Sequence, residues 1–272
     1  MCFDLDSRPP IAPIAGGALD AARVVLTAAD GNRFLAFRAR PAVPTGAGIV
    51  VLPDVRGLHP YYEELALRFA EAGVDALAID YFGRTAGTDT PRDDTFEYTP
   101  HVQRTTWAGL SADIRAGAEQ LRSAEGRAPA ALFTIGFCFG GRLAFVSPTL
   151  GLGLAGAIGY YGRPAGEHGS GTPAPVDVVG EMDGAVLGLF GGADASIPAE
   201  AIAGFDAALA ASGVDHRLIT YPGAPHSFFD RKAADFAEAS AAAWAEVLAF
   251  VRTRTAGGPG GIHADDVVFG AP

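Results

Sequence analysis

Cysteine is scarce in this chain: 272 residues carry two, Cys2 and Cys138. Two thiols, one of them beside the N-terminus, cannot build a disulfide framework, so the sequence predicts reduced thiols and an intracellular protein. Positive charge is short as well, with 20 Lys and Arg against 31 Asp and Glu and a formal net charge of −11. That balance argues against nucleic acid and anionic membranes as partners, since both attract basic patches. Long apolar runs are missing too, and nothing approaches the roughly 18 residues of a membrane span. The opening MCFDLDSRPPIAPIAGG has acid where a secretory leader needs base, and proline where it needs an apolar run. A soluble, cytoplasmic protein is expected.

What is present is apolar residue in quantity, 49% of the chain, enough for a sizeable core in one domain. Short apolar runs that read as strands at 23–28, 33–39, 48–53, 74–80, 131–136, 154–161, 185–191 and 216–222 alternate with helical patterns at about 60–73, 103–124, 139–147, 199–212 and 231–254. An Asp-Gly turn joins the first two strands as a hairpin. The later alternation implies right-handed crossovers, hence a mainly parallel sheet with an antiparallel N-terminal start and helices on both faces. The expected organisation is an N-terminal extension (1–20), an α/β domain (21–255) and a C-terminal tail (256–272). Residues 83–100 and 162–184, rich in polar residues, glycine and proline, read as surface excursions.

One stretch, IGFCFGGRL at 135–143, sets Cys138 where a strand hands over to a helix, with Gly136 and Gly140 two residues to either side. This is the spacing of a nucleophile elbow, with cysteine in place of serine. Neighbours two positions away must be small because strand and helix pass close there. The helix N-terminus favours a thiolate and offers unpaired N–H groups to an oxyanion, Phe139 N–H first among them. The competing reading is an inert buried cysteine beside a glycine-rich turn.

A nucleophile of this kind needs an acid and then a histidine further along the chain, each on a loop after a strand. AVLGLFGGADASIP places Asp194 beyond one strand end, and HRLITYPGAPHSFFD places His226 beyond the last. Imidazole takes the thiol proton and returns it to the leaving group, while the aspartate holds the imidazole's tautomer. Asp194 could instead cap the helix beginning near Pro198, and Asp183 is a competing carboxylate placed before its strand. The other histidines, His59, His101, His168, His216 and His263, lack that combination of place and order. Scattered histidines without HxxxH or CxxC spacing predict no metal site, and GFCFGG lacks the spacing of a dinucleotide fingerprint.

In combination GIVVLPDVRGL, VDALAIDYFGRTAG, TIGFCFGGRLAF, VLGLFGGADASIP and YPGAPHSFFDR, spanning about 48–231, resemble the dienelactone hydrolase family. The resemblance implies an α/β-hydrolase fold, a Cys-Asp-His triad and hydrolysis of a small-molecule ester or lactone without metal or organic cofactor. It implies a catalytic carboxylate near the nucleophile at Asp54, interacting with the resting cysteine and helping to generate the thiolate, and Val55 N–H as the second oxyanion donor. Family members proper carry an arginine four residues after the histidine to grip a substrate carboxylate; here that place is Asp230, with Arg231 following. Arg231, Arg104, Tyr98 and Tyr81 are the candidate substrate-binding residues. The leading expectation is a cysteine-dependent lactone or ester hydrolase acting through a thioester, as a monomer or small homo-oligomer. The alternatives are a binding module of this fold without turnover and an acyltransferase with an acceptor other than water.

Overall fold

The computed structural model describes residues 6–123, 125, 127–230 and 233–256. Cys2, Arg231 and all of the expected tail but Ala256 lie outside the described residues. Eight strands make one sheet: β1 (Ala18–Thr27), β2 (Arg33–Pro41), β3 (Ala47–Leu52), β4 (Asp75–Ile79), β5 (Ala131–Phe137), β6 (Gly156–Tyr160), β7 (Ala185–Gly191) and β8 (His216–Tyr221). Their order is β1-β2-β4-β3-β5-β6-β7-β8. The β1–β2 and β2–β4 pairs are antiparallel and the other five are parallel, as the alternation of elements predicts.

Strands β3 to β7 bury every residue, which is why they read as unbroken apolar runs. Ile49 and Val51 of β3 point into a core shared with α1 (Pro60–Glu71) and α7 (Ala237–Ala256), whereas Val50 and Leu52 face α4 (Trp107–Arg122) across the sheet. Side-chain alternation along one strand thus joins two helical layers. Pro60 at the first turn of α1, with the His59 side chain accepting from Tyr61 N–H, and Thr106 accepting from Gly109 N–H at the start of α4, fix where these helices begin.

Several bounds differ from the sequence expectation. β1 starts at Ala18, three residues inside the expected extension, where Arg38 of β2 pairs with Asp20 across the hairpin at 2.7 Å. Residues 83–100 include one one-turn helix, α2 (Gly83–Ala86), and the start of another, α3 (Thr99–Val102). This excursion is anchored by Arg92, whose guanidinium reaches Asp80 at 3.0 Å with both side chains fully buried. α7 begins at Ala237 rather than 231, because the chain turns after His226 with Ser227 at φ 60° before the helix takes over. Among the described residues the remaining α-helices are α5 (Phe139–Val146) and α6 (Ala199–Ala211).

Strand order reverses about β3, which sits between β4 and β5. In open parallel sheets such a reversal opens a crevice beyond the carboxyl ends of the strands. Here those ends carry Asp54 and Val55 after β3 and Cys138 after β5.

Candidate active site

Cys138 occupies the turn between β5 and α5 at φ 54° and ψ −108°. A non-glycine residue held at positive φ costs on the order of 1–3 kcal/mol, so its surroundings must enforce it. Two features do. Cys138 N–H donates to Tyr160 O at 3.0 Å, tying the turn to β6, and Arg142 N–H reaches Cys138 O at 3.2 Å to start the helix. The flanking glycines remove the obstacle to so sharp a turn: a Cβ on Gly136 would strike the Gly140 carbonyl, and one on Gly140 would strike the carbonyls of Leu52 and Pro53. Phe139, as the first residue of α5, carries one of the N–H groups that the helix itself leaves unpaired.

A cavity of about 850 Å³ opens over this turn and is lined by Cys138, Phe139, Val55, Asp194 and His226 among others. His226 Nδ1 lies 2.6 Å from Asp194 Oδ2. A carboxylate can only accept, so Nδ1 carries the proton and Nε2 is left with its lone pair. Asp194 is buried, and its other oxygen accepts from Ser196 Oγ at 2.6 Å and Ser196 N–H at 2.9 Å. Burial alone would raise the Asp194 pKa, but the hydrogen bonds from His226 and Ser196 outweigh it and hold the carboxyl below its ordinary value. The aspartate therefore stays ionised where the imidazole needs it.

Its bonds within the 194–196 turn also show that Asp194 does not cap α6, whose N-cap is Pro198 without a side-chain bond. Asp183 is exposed and does not line the cavity. Ser196, which fixes the second aspartate oxygen, was not anticipated from sequence; its position two residues after Asp194 in an Asp-x-Ser turn was the available signal.

Asp54 stands at the end of β3 with its carboxylate turned to Arg56, accepting from Arg56 N–H at 2.9 Å and from Nη2 at 2.8 Å. The same Arg56 Nη2 reaches Asp230 Oδ2 at 2.5 Å, and all three side chains are buried. Burial raises the Asp230 carboxyl to about 6 despite the neighbouring Arg56. The position four residues beyond His226 is thus a carboxylate bound into an ionic bridge. Of the substrate-binding candidates, Tyr81 is buried with its hydroxyl donating to Pro53 O at 2.9 Å, and Arg104 is exposed with Nη2 on Thr85 O at 3.3 Å. Tyr98 packs half-buried on the core that contains Phe139. None of these three lines the cavity, whereas their neighbours Val102 and Gln103 do.

The lining also includes Arg163, His168 and Ser170 from the excursion after β6, and Arg142 of α5. Sequence reasoning did not single out these residues, because nothing local marks which part of a glycine-rich excursion folds back. Among the described residues no three His, Cys, Asp or Glu side chains gather as a metal site would require, and no helix is long and apolar enough to cross a membrane.

Residues 34–255 match the model of the dienelactone hydrolase family. A Yersinia pestis protein named as a candidate carboxymethylenebutenolidase is 30% identical over 223 residues, 80% of this chain and 83% of that one. A Salmonella typhimurium protein of the same name is 28% identical over 239 residues, 85% of this chain and 88% of its own length. Among solved structures, a candidate dienelactone hydrolase from Klebsiella pneumoniae superposes with a TM-score of 0.73 at 27% identity, covering 85% of this chain and 98% of that one. A dienelactone hydrolase-like promiscuous phosphotriesterase from metagenomic libraries gives a TM-score of 0.70 at 22% identity, a likeness of fold.

Proposed function

The chain belongs to the dienelactone hydrolase family, and from that premise we propose that it hydrolyses a small lactone or carboxylic ester with Cys138 as nucleophile. The observation that carries the reading is the convergence on one cavity of the elbow cysteine and the His226–Asp194 pair.

His226 Nε2 takes the thiol proton as Sγ attacks the carbonyl carbon, and the tetrahedral oxyanion is held by the N–H groups of Phe139 and Val55. Collapse breaks the C–O bond, and His226 returns the proton to the departing alkoxide, which in a lactone stays on the same molecule. A water molecule, deprotonated by His226, then attacks the thioester; the C–S bond breaks, the acid leaves and the sulfur regains its proton. Asp194 keeps the imidazole in the required tautomer and stabilises its charged form. Asp54 holds Arg56 and through it Asp230, so that the loop bearing Val55 and the loop bearing His226 keep their spacing. A thiol nucleophile of this kind fits a reducing compartment such as the cytoplasm.

The test is alkylation of Cys138 with iodoacetamide between pH 5 and 9, alongside turnover of a short-chain aryl ester and a dienelactone. Fast single-site labelling that abolishes turnover is expected. Turnover that survives complete labelling would refute the assignment.

A further inference from the structure

The cavity over Cys138 has a volume of about 850 Å³, toward the upper end of the roughly 300–1,000 Å³ over which pockets enclose drug-sized molecules. A single lactone or ester group occupies a small part of that space, so the group's substituents decide the fit. Each segment that reaches the cavity brings an apolar side chain: Val55 after β3, Val102 of α3, Phe139 of α5, Tyr161 after β6, Ala195 beyond β7 and Pro225 beyond β8.

The polar side chains of the lining are largely engaged by the protein itself. His226 and Ser196 hold the Asp194 carboxylate. Arg142, one helical turn after Cys138, is buried with its guanidinium on backbone carbonyls, Gly166 at 2.7 Å and Thr172 at 3.1 Å. The Ser170 hydroxyl lies 2.6 Å from Thr172 Oγ1 and 2.8 Å from His168 Nδ1. The His168 ring packs on Phe139 at 5.3 Å between centroids, and burial, reinforced by Arg142 and Arg163, lowers its pKa and favours the neutral form. Gln103 and Arg163 are exposed, where water satisfies them. A polar group already hydrogen-bonded gains little from a ligand, whereas Val55, Val102 and Pro225, each half-buried, gain by leaving water.

We propose that the substrate is a neutral lactone or ester bearing a medium-length alkyl arm, and that Val102 is a specificity-determining residue against which the arm packs. This assignment rests on the hydrolase reading of the same cavity and adds the class of group that accompanies the reacting carbonyl. Val102 suits the role because it is held before an arm arrives. It rests on the core that contains Phe139, and its carbonyl accepts from Thr105 Oγ1 at 2.7 Å.

The test compares kcat/KM for an aryl butanoate with an aryl octanoate, and for γ-butyrolactone with γ-decalactone. The longer member should win by at least about 10-fold in one series or both, since each methylene taken from water contributes about two- to fourfold. Val102→Asp should cut that preference by about threefold or more. Gly169→Asp guards against a folding defect in the first variant: Gly169 lines the cavity, and a Cβ there meets nothing within 4 Å. It should lower the same ratio. Gly204→Asp, equally free of contacts but on α6 outside the lining, should leave it unchanged. The proposal is overturned if neither series gains with length, if the preference survives both Val102→Asp and Gly169→Asp, or if Gly204→Asp moves the ratio as far. Level rates along both series, with the butanoate turned over and Cys138 alkylated fast, sink this inference alone. Failure to hydrolyse any of the four substrates, with slow alkylation of Cys138, sinks the hydrolase reading with it.

Discussion

Replacing Asp194 by asparagine should disable the base through the hydrogen-bond pattern itself. The Oδ1 position accepts two donors from Ser196, at 2.6 and 2.9 Å, so the amide oxygen of the variant must take that place. Its NH2 is then presented to His226 Nδ1 across the former 2.6 Å contact. Two donors cannot face each other, so Nδ1 becomes the acceptor, the proton moves to Nε2, and the imidazole loses the lone pair that should receive the thiol proton. An ordinary thiol with pKa about 8.5 is roughly 3% ionised at pH 7, so losing base assistance costs at most about 30-fold in thiolate. Proton return to the leaving group adds about 100-fold or more. The product is a loss of about 3 × 10³ in kcat/KM at pH 7, near 5 kcal/mol. It should shrink toward about 10² by pH 9, where a thiol ionises unaided. Steady-state rates on an aryl ester across pH 6 to 9, with urea melts to confirm folding, read both quantities. A folded variant that keeps its rate within threefold, or whose loss is the same at every pH, would refute the argument.

Gly136→Ala should cost at least about 3 kcal/mol in urea unfolding, because the added methyl meets the Gly140 carbonyl rather than a movable side chain; a loss under 1 kcal/mol would contradict the packing at the elbow. Arg92→Met should destabilise by about 3–5 kcal/mol by stranding the buried Asp80 charge, and adding Asp80→Asn should restore part of it; equal melts for parent and single variant would oppose this. Asp230 has a folded pKa of about 6 against about 3.9 in an unfolded chain. As pH rises from about 4 to 6 the unfolded chain therefore releases its proton first, and the parent loses on the order of 3 kcal/mol of stability that it holds in full below pH 4. Asp230→Asn should remove that part of the slope in melts over the same range, and parallel curves would refute the shift.

Residues whose surroundings are local or whose burial is complete were legible in the sequence. Strands β3 to β7 bury both faces, so their apolar runs were unmistakable, and Gly136 before Cys138 is required by a backbone contact within the same motif. Asp194 and His226 followed from chain order, since each sits on a loop directly after a strand. What escaped depends on partners remote in sequence. Arg92 locks its excursion through Asp80, and Arg142 holds the one bearing His168 through carbonyls that carry no sequence signal. Tyr81 shows the converse: an aromatic beside a strand end suggested a substrate contact, but its hydroxyl is used on Pro53 O inside the core.

Asp230 makes the same point about charge. Taken alone, a carboxylate four residues beyond His226 looks like the loss of a substrate-binding cation. Its partner is 174 positions away, where Arg56 is buried between Asp230 and Asp54. A guanidinium sealed from water needs compensating charge and hydrogen bonds, and the two aspartates supply both. Removing Arg56 leaves two buried carboxylates facing each other, and removing either aspartate takes a hydrogen bond from the guanidinium, so a substitution at 230 can be read only together with the residues at 54 and 56. Because Asp54 and Arg56 flank Val55, and Asp230 closes the turn that begins at His226, the bridge ties the proposed oxyanion donor to the base. Charge at this position therefore bears on the spacing of the two loops rather than on the cavity lining, to which Asp230 does not belong.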